Sequence, residues 1–410
     1  MLRGVSLLGL GAVLLGCAGE RFESVASGGG GAPAGGGGAA GAPLGGSGGS
    51  SGGAAGAVSG GAAGAGASGG GGAAGGAAGS GGGSGGSSGG AGGAGGAAGG
   101  SGGAGGGADP CAGTCGPSAT CLGNGICELA SKQAVAEWLA VNQKYVYWTT
   151  SGGVVRVDKA GKTPLISLSA PADNEGVVAT DANVYWAALD KNEIRVAPAA
   201  LGAASAFVTG VTAPRTLALD GGYLYFTAQN AVQRKALSGG AVETLASGLS
   251  ATWDIAVDGS GVYFSTASGI YRCNKQPPCT PAALALAGSV TGFDGTAQIA
   301  LGGTRVYFSG GDFVGAVPKA GGSVATFPAG ANVEGVDFWS GFLFAGIETA
   351  DGGLVRAAAE PTAGAFSPFV TGGQVNIDDL LVDGPTKTAF WISTEAADDS
   401  MRFVRKTSIP

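Results

Sequence analysis

A short strand-forming pattern of apolar and aromatic residues recurs at regular intervals after residue 140. Five strong copies lie at 146–148 (VYW), 184–186 (VYW), 224–226 (LYF), 262–264 (VYF) and 306–308 (VYF), and two weaker copies lie at 342–344 (FLF) and 389–391 (AFW). The central positions of successive copies are separated by 38, 40, 38, 44, 36 and 47 residues. Seven copies with a period near 40 residues predict an all-β fold, a seven-bladed β-propeller of four-stranded antiparallel blades over about residues 125–410. Six blades are the alternative if one weak copy is irregular.

The residues around each copy are similar as well. Before the copy lies a short apolar strand that ends in a polar turn, as in 138–142 (WLAVN) and 254–258 (DIAVD). After it, a second hairpin leads to a strand that carries an arginine in six copies: Arg156, Arg195, Arg234, Arg272, Arg356 and Arg405. Because both faces of a blade pack against other blades, these strands need apolar side chains on both sides. The pattern predicts three inner strands per blade, and an outer strand follows, as in 163–168 (TPLISL).

The two ends of the repeat predict how the ring of blades closes. The last copy has three strands and no fourth, whereas residues 125–142, before the first copy, align with residues 241–258 of the fourth copy. In this alignment Leu129-Ala130-Ser131 matches the outer strand at Leu245-Ala246-Ser247. We therefore expect residues 126–131 to pair beside residues 402–406 and complete the last blade, which removes the open sheet edge.

The segment 146–157 (VYWTTSGGVVRV), with IAVD at 255–258 of a sister copy, resembles the YWTD β-propeller repeats of lipoprotein receptors and the related NHL-type propellers. The resemblance covers about 285 residues, the length of a complete propeller. Thr150 stands where the motif has an aspartate, and the chain has seven copies where YWTD propellers have six. The blade-to-blade hydrogen bond of that aspartate is therefore not carried over. The resemblance implies a protein that binds a ligand or another protein.

The N-terminal residues differ sharply from the repeat region. Arg3, an apolar run over 5–15 and the ending Leu14-Leu15-Gly16-Cys17 resemble a signal peptide with the lipobox of bacterial lipoproteins. The resemblance implies cleavage before Cys17, acylation of its thiol and, with Ala18 next to it, an outer-membrane lipoprotein on the periplasmic or the cell-surface side. An ordinary signal peptide that happens to end in cysteine is the alternative. Residues 18–108 consist mainly of Gly, Ala and Ser, and predict a disordered linker.

Six further cysteines follow in this export-permissive context, and we expect them to form disulfides. Cys273 and Cys279 flank a turn-forming segment (NKQPP) and are predicted to join each other. The other four lie in a short segment, 109–127: Cys111, Cys115, Cys121 and Cys127. A four-cysteine zinc site is the alternative, but spacings of three, five and five residues do not match paired C-x-x-C knuckles. Three disulfide pairings of these four cysteines remain open.

Charge and composition exclude several functions. The net charge is −7 without a lysine or arginine cluster, which disfavours nucleic-acid binding. The chain has no histidine, which excludes the common Ser-His and Cys-His nucleophile systems and histidine-ligated metal sites. Streptogramin lyases are also propellers, but their activity depends on histidine. The aspartates that end several inner strands (Asp181, Asp220, Asp258 and Asp383) are predicted to bond their own turns rather than Ca²⁺.

Acidic residues recur where the inner strands begin, which places them at one mouth of the central channel. They are Glu137, Glu175, Asp254, Glu334, Asp378 and Asp379, with Arg215 in the same ring. Such a ring favours a cationic group and is a weak candidate for Ca²⁺; no other cofactor is expected. Ordinary solvated polar residues in loops are the alternative.

Three classes of function remain. The sequence favours a non-catalytic binding or scaffold module, held at the bacterial cell envelope by its acyl anchor, that recognises a protein, peptide or glycan through the loops at the channel mouth. A carboxylate-dependent hydrolase or lyase acting on envelope glycans is the alternative. A purely structural envelope protein is the third.

Overall fold

Seven antiparallel sheets follow one another along the described part of the chain. In this computed structural model the described residues are 111, 114–293, 295–349, 353–359, 364–372, 374–395 and 398–410. The predicted signal peptide (1–17), Cys17 and the predicted linker (18–108) lie outside the described residues. No helix among the described residues is long and apolar enough to cross a membrane.

Each sheet is one blade, with its first strand innermost, and the blades are numbered in chain order. The innermost strands are β3 (Leu139–Val141), β7 (Asn174–Ala179), β11 (Leu217–Asp220), β15 (Thr252–Asp258), β19 (Ile299–Leu301), β23 (Asn332–Trp339) and β27 (Val375–Asp383). The second strands carry the aromatic copies and are β4 (Tyr145–Thr150), β8 (Asn183–Ala188), β12 (Tyr223–Ala228), β16 (Gly261–Thr266), β20 (Arg305–Gly310), β24 (Phe342–Glu348) and β28 (Thr388–Glu395). The seven-bladed prediction is confirmed, and the six-bladed alternative is wrong.

The remaining strands form the outer half of each blade. The third strands are β5 (Gly153–Asp158), β9 (Glu193–Pro198), β13 (Ala231–Ala236), β17 (Gly269–Cys273), β21 (Phe313–Pro318), β25 (Gly353–Ala358) and β29 (Asp398–Ser408). The outer strands are β6 (Ile166–Ser169), β10 (Ser205–Thr209), β14 (Glu243–Ser247), β18 (Ala282–Leu286), β22 (Ala325–Pro328), β26 (Ser367–Val370) and, for blade 7, β2 (Ile126–Ala134). Three short 3-10 turns lie at Leu189–Lys191, Ala287–Ser289 and Gly384–Thr386.

The aromatic copies are apolar throughout because both faces of the second strand are buried. In blade 1, Tyr147 packs with residues of blade 2, whereas Val146 and Trp148 on the other face pack with Phe390 and Ile392 of blade 7. All three residues of the copy are completely buried. Successive side chains of a strand point to opposite faces, so one three-residue pattern supplies both interfaces of its blade.

The ring closes as the sequence predicts. β2 pairs antiparallel with β29, and Glu128 faces Arg405 in the register of the two strands. The Arg405 guanidinium is buried, lies 3.1 Å from the Glu128 carboxylate and donates to Gln374 Oε1 at 2.8 Å. The first and last parts of the propeller are therefore joined by a strand ladder and by a buried ion pair.

The cysteine-rich segment forms disulfides, as predicted. Cys111 joins Cys121, Cys115 joins Cys127, and Cys273 joins Cys279. The first two bridges are interlaced, which settles a pairing that the sequence left open. The segment also contributes a fifth strand to blade 7, β1 (Thr120–Gly123), which pairs with β2 and was not predicted. Through Cys127, the bridges tie the segment to the strand that closes the ring.

Three aspartates of the inner strands bond adjacent blades directly. Each accepts one N–H from the next residue and one from the inner strand of the following blade: Asp254 from Ile255 and Ile299, Asp337 from Phe338 and Val382, and Asp379 from Leu380 and Leu139. The six donor–acceptor distances lie between 2.6 and 2.8 Å, and all three residues are buried. These carboxylates are hydrogen-bond acceptors between blades 4 and 5, 6 and 7, and 7 and 1.

Hydroxyl groups bond adjacent blades at the same level. Ser265 Oγ accepts the N–H of Asp254 and donates to the carbonyl of Ala297 in blade 5, at 2.9 and 2.7 Å. Thr216 Oγ1 likewise donates to the carbonyl of Trp253 in blade 4, at 2.7 Å. Side chains of the inner two strands thus add to the isolated backbone bonds between blades, such as that from the N–H of Gly176 to the carbonyl of Arg215 at 3.0 Å.

Arginines of the third strands in blades 1 and 3 bond adjacent blades farther from the axis. Arg156 donates to the carbonyl of Ala200 in blade 2 at 3.2 Å, and its guanidinium lies 3.8 Å from the ring centre of Tyr145. Arg234 makes the equivalent pair of contacts with the Lys275 carbonyl and the Tyr223 ring. The basic position of the repeat therefore has a structural role.

Replacing Asp379 by asparagine tests the aspartate bonds. Both carboxylate oxygens accept an N–H, so the amide nitrogen of Asp379→Asn faces a donor and one buried N–H loses its acceptor. We expect the free energy of unfolding in urea to fall by about 2 kcal/mol. Asp312→Asn, on the exposed turn between β20 and β21, is the control and is expected to change it by less than about 0.5 kcal/mol. Equal stabilities of the two variants would contradict the proposed role of Asp379.

Candidate functional site

The inner strands begin at the same end of the channel, and several of them are irregular there. The antiparallel register shifts between Asn174 and Val177, between Val333 and Gly335, and between Ile377 and Asp379. Glu175, Glu334 and Asp378 therefore lie at β-bulges. A bulge removes a residue from the regular alternation of the strand and redirects its side chain. The fold thus turns these three acidic residues away from the positions that a regular strand would assign to them.

Four carboxylates and two guanidiniums form what we call the acidic mouth: Glu137, Glu175, Glu334, Asp378, Arg215 and Arg402. The Arg215 guanidinium lies 3.6 Å from Glu175 and also covers one face of Trp253, 4.1 Å from a ring centre. Arg402, on β29, forms an ion pair with Asp378. Four acidic groups against two basic groups leave an excess of negative charge when all are ionised.

Burial and crowding shift the titration of these acids. The pKa of Glu137 is raised to about 7 because burial removes water from its carboxylate and because Glu175 and Asp173 lie nearby. Burial also raises the pKa of Glu175 to about 7, although Arg215 opposes the shift. The pKa of Asp378 is raised well above its ordinary value by burial, against Arg402 and with Glu334 and Glu137 adding to it. The acidic mouth therefore exchanges protons near neutral pH.

The predicted ring of ligand-binding residues is divided by the structure into two groups. Glu137, Glu175, Arg215, Glu334 and Asp378 come together at the acidic mouth. Asp254 and Asp379 do not join them, because both oxygens of each carboxylate accept backbone N–H groups between blades. The inclusion of these two aspartates in the predicted site is therefore not supported by their geometry.

The sequence pattern did not indicate one charged member of the acidic mouth, Arg402, or the neighbouring Asp173. Arg402 lies on the third strand of blade 7, and Asp173 lies just before β7, so neither occupies the repeat position that defined the ring. A signal for the bulges was present, since Glu175 and Glu334 are each followed by a glycine. Glycine inside a strand pattern is typical of a bulge or a close backbone approach.

The opposite mouth of the channel has a different character. Three lysines there pair with aspartates of the preceding blade, Lys159 with Asp383 at 2.6 Å, Lys275 with Asp220 at 2.6 Å and Lys319 with Asp258 at 2.5 Å. Asp258 also accepts the N–H groups of Ser260 and Gly261, as predicted for a turn aspartate. A cavity of about 480 Å³ lies beside these turns, with Leu219, Leu237 and Pro385 in its wall. Because lysines neutralise most of its acids, this mouth attracts cations less than the acidic mouth does.

The acidic mouth fits a bare Ca²⁺ ion poorly. Within the described part of the chain, the group of three metal-ligating side chains whose ligand atoms all lie within 4.8 Å of one another is Cys111, Cys115 and Cys121. Those cysteines are in disulfides. Calcium takes six to eight oxygen ligands at about 2.3–2.6 Å, which requires converging carboxylates. The spread of the acidic residues is better suited to an organic cation.

Comparison with known proteins shows the fold. No protein-family model matches the chain, and no curated protein matches it. Virginiamycin B lyase from Staphylococcus aureus is 16% identical with a TM-score of 0.53, over 69% of this chain and 98% of that chain. The WD40 β-propeller domain of Doa1 is 12% identical with a TM-score of 0.55, over 68% of this chain and 97% of that chain. One is an enzyme by name and the other a WD40 domain, so the shared fold is compatible with catalysis and with binding.

The raised pKa values predict a specific pH dependence of stability. Between pH 4.5 and about 7 the folded chain holds a proton on Glu175 that an unfolded glutamate has released, so stability falls as pH rises through this window. In Glu175→Gln this contribution is absent. We expect the variant to gain stability relative to the parent chain between pH 4.5 and 7.5, by at most about 3 kcal/mol.

Urea unfolding at several pH values measures this difference. Glu193→Gln, on the third strand of blade 2 and away from the acidic mouth, is the matched control and is expected to track the parent chain. A difference between Glu175→Gln and the parent chain that does not vary with pH would contradict the raised pKa of Glu175.

Proposed function

We propose that this propeller is a binding module whose acidic mouth receives a cationic group carried by a protein, peptide or glycan. The observation that carries the proposal is the crowding of Glu137 and Glu175, two acids with pKa values raised to about 7 at the start of adjacent inner strands. A bound cation stabilises the ionised form of both carboxylates and offsets their mutual repulsion. Holding the two carboxylates close together costs the folded chain free energy, and a bound cation offsets that cost.

The surroundings of the two acids support a ligand that enters from solvent. Glu137 and Glu334 are only partly buried, whereas Glu175 and Asp378 are buried. The partly buried acids provide the outer part of the site, and the buried acids provide its inner part. Mouths with one sign of charge also concentrate ions of the opposite sign from solution.

The chain's N-terminal sequence supports a place for this module in the bacterial envelope. The lipobox-like ending at Cys17 and the following Gly/Ala/Ser segment, which lie outside the described residues, are the features of a tethered lipoprotein. Three disulfides suit an oxidising compartment. Intact mass spectrometry of the chain extracted from membranes is expected to show an acylated N-terminus at Cys17. Recovery of only a soluble chain without acyl groups would contradict the anchor.

The raised pKa values also favour a second candidate function. Carboxylic acids that titrate near pH 7 are suited to general acid–base catalysis, and hydrolysis or elimination on glycans can use carboxylates alone. The absence of histidine from the chain leaves carboxylates as its principal acid–base groups near neutral pH. The binding experiment therefore includes an assay for turnover.

Equilibrium binding of a basic peptide tests the proposal. The full chain is titrated with an acetylated hexapeptide of lysine and arginine, and with its glutamate counterpart, at low and high salt. The double variant Glu137→Gln/Glu334→Gln is expected to bind the basic peptide at least about tenfold more weakly, because two negative charges leave the outer part of the mouth. Glu193→Gln/Glu243→Gln, which removes the same charge from the third strand of blade 2 and the outer strand of blade 3, is expected to bind like the parent chain.

Two outcomes would redirect the conclusion. Equal affinities of the two double variants would show that the acidic mouth is ordinary surface. Cleavage of an envelope glycan by the parent chain, lost in Glu175→Gln, would favour the hydrolase or lyase over the binding module.

A further inference from the structure

A buried glutamine side chain contacts the backbone of a residue of the acidic mouth. Gln298 lies just before β19 in blade 5, occupies the repeat position that Asp254 and Asp379 occupy in their blades, and is only 1% exposed. Its Nε2 donates to the carbonyl of Asp378 in blade 7, at 3.4 Å. The side chain thus passes blade 6 and reaches an acidic residue of the mouth.

A glycine at the start of blade 6 allows its inner strand to approach blade 7 closely. Gly335 lies at the bulge of β23, where it faces Gly346, and a Cβ atom there would lie 3.0 Å from Leu380 Cβ and 3.2 Å from Leu380 N. Any larger residue would therefore crowd blade 7.

The orientation of the amide is fixed by its donor contact. Because Nε2 donates to a carbonyl, the other amide atom must be the oxygen. Gln298 Oε1 is buried and accepts no hydrogen bond from any described residue. A buried acceptor of this kind is satisfied when a donor reaches it. Because Nε2 contacts the backbone of Asp378, whose carboxylate interacts with Glu334, this part of the mouth favours a donor that is also a cation.

These features distinguish among organic cations. A quaternary ammonium carries no N–H and binds through aromatic faces, but Arg215 already covers one face of Trp253 in this mouth. A protonated primary amine carries three N–H donors on one compact charge. It can donate to an amide oxygen and to carboxylates from neighbouring blades at the same time.

We propose that the acidic mouth recognises a protonated primary amine, such as a lysine side chain, and that Gln298 Oε1 and the carboxylates of Glu334 and Asp378 accept its three N–H groups. This inference rests on the proposed function and specifies its ligand. It makes Gln298 the residue that separates N–H-bearing cations from methylated ones. When the ammonium binds it loses its shell of water, and three acceptors from blades 5, 6 and 7 take the place of that water.

Isothermal titration of the full chain with three short peptides tests the inference. The peptides are identical except for a central lysine, an Nε-trimethyl-lysine or an Nε-acetyl-lysine. We expect the lysine peptide to bind at least about tenfold more tightly than the trimethyl-lysine peptide, which keeps the charge but loses the donors. The acetyl-lysine peptide, which has lost the charge, is expected not to bind measurably.

Variants of Gln298 locate the selectivity. Gln298→Met keeps the length of the side chain without an acceptor, and it is expected to bring the affinities for lysine and trimethyl-lysine within about twofold of each other. Gln298→Glu keeps an acceptor and is expected to retain the preference for lysine. Gln229→Met, on the exposed turn between β12 and β13, is the control and is expected to leave all three affinities unchanged.

The outcomes separate this inference from the proposed function. Equal binding of the lysine and trimethyl-lysine peptides by the parent chain would overturn the role of Gln298. The acidic mouth would then bind cations by charge alone. This outcome is measured on the parent chain, so it does not depend on whether a variant folds. Failure of all three peptides and of the basic hexapeptide would overturn both proposals.

Discussion

The ring of blades depends on hydrogen bonds that cross from one sheet to the next. Separate sheets share no backbone ladder, so apolar packing alone would leave their relative height undetermined. In this chain the relative height of the blades is set in part by Asp254, Asp337 and Asp379. Each carboxylate accepts an N–H of its own inner strand and an N–H of the inner strand of the following blade. The hydroxyls of Thr216 and Ser265 contribute further bonds of the same kind. These bonds also bring the starts of the inner strands close around the axis, where the acidic mouth forms.

Two adjacent aspartates show how closely structure and candidate function lie together. Asp379 is bonded to two N–H groups and holds blade 7 against blade 1. Asp378, at a bulge of the same strand, lies among Glu334, Glu137 and Arg402, and its pKa is raised by burial. The two residues differ in the direction of their side chains. The bulge removes Asp378 from the regular alternation of side chains along the strand, whereas Asp379 keeps its place in that alternation. The same residue type therefore stabilises the fold at one position and contributes charge to the mouth at the next.

The sequence predicts the fold well because its signals are local and repeated. The aromatic copies, the apolar inner strands and the match of Leu129-Ala130-Ser131 to a fourth strand predict seven blades and their closure, and the structure confirms both. The fifth strand β1 and the interlaced disulfides could not be predicted, because the sequence of this short segment is compatible with several disulfide pairings. The membership of the mouth was predicted only in part. Alignment places Asp254 and Glu334 in one ring, but the direction of a side chain depends on bulges, and Arg402 joins from another strand of its blade.

Proton release on binding is the most direct test of a cation site built on carboxylic acids. The acidic mouth holds protons near neutral pH that a bound cation must displace. Calorimetric titration of the full chain with the lysine peptide at pH 7, in two buffers of different ionisation enthalpy, measures the protons exchanged. We expect net release of protons to the buffer, and less release in Glu137→Gln/Glu175→Gln. Binding of the peptide without any release of protons would contradict a cation site built on these carboxylic acids.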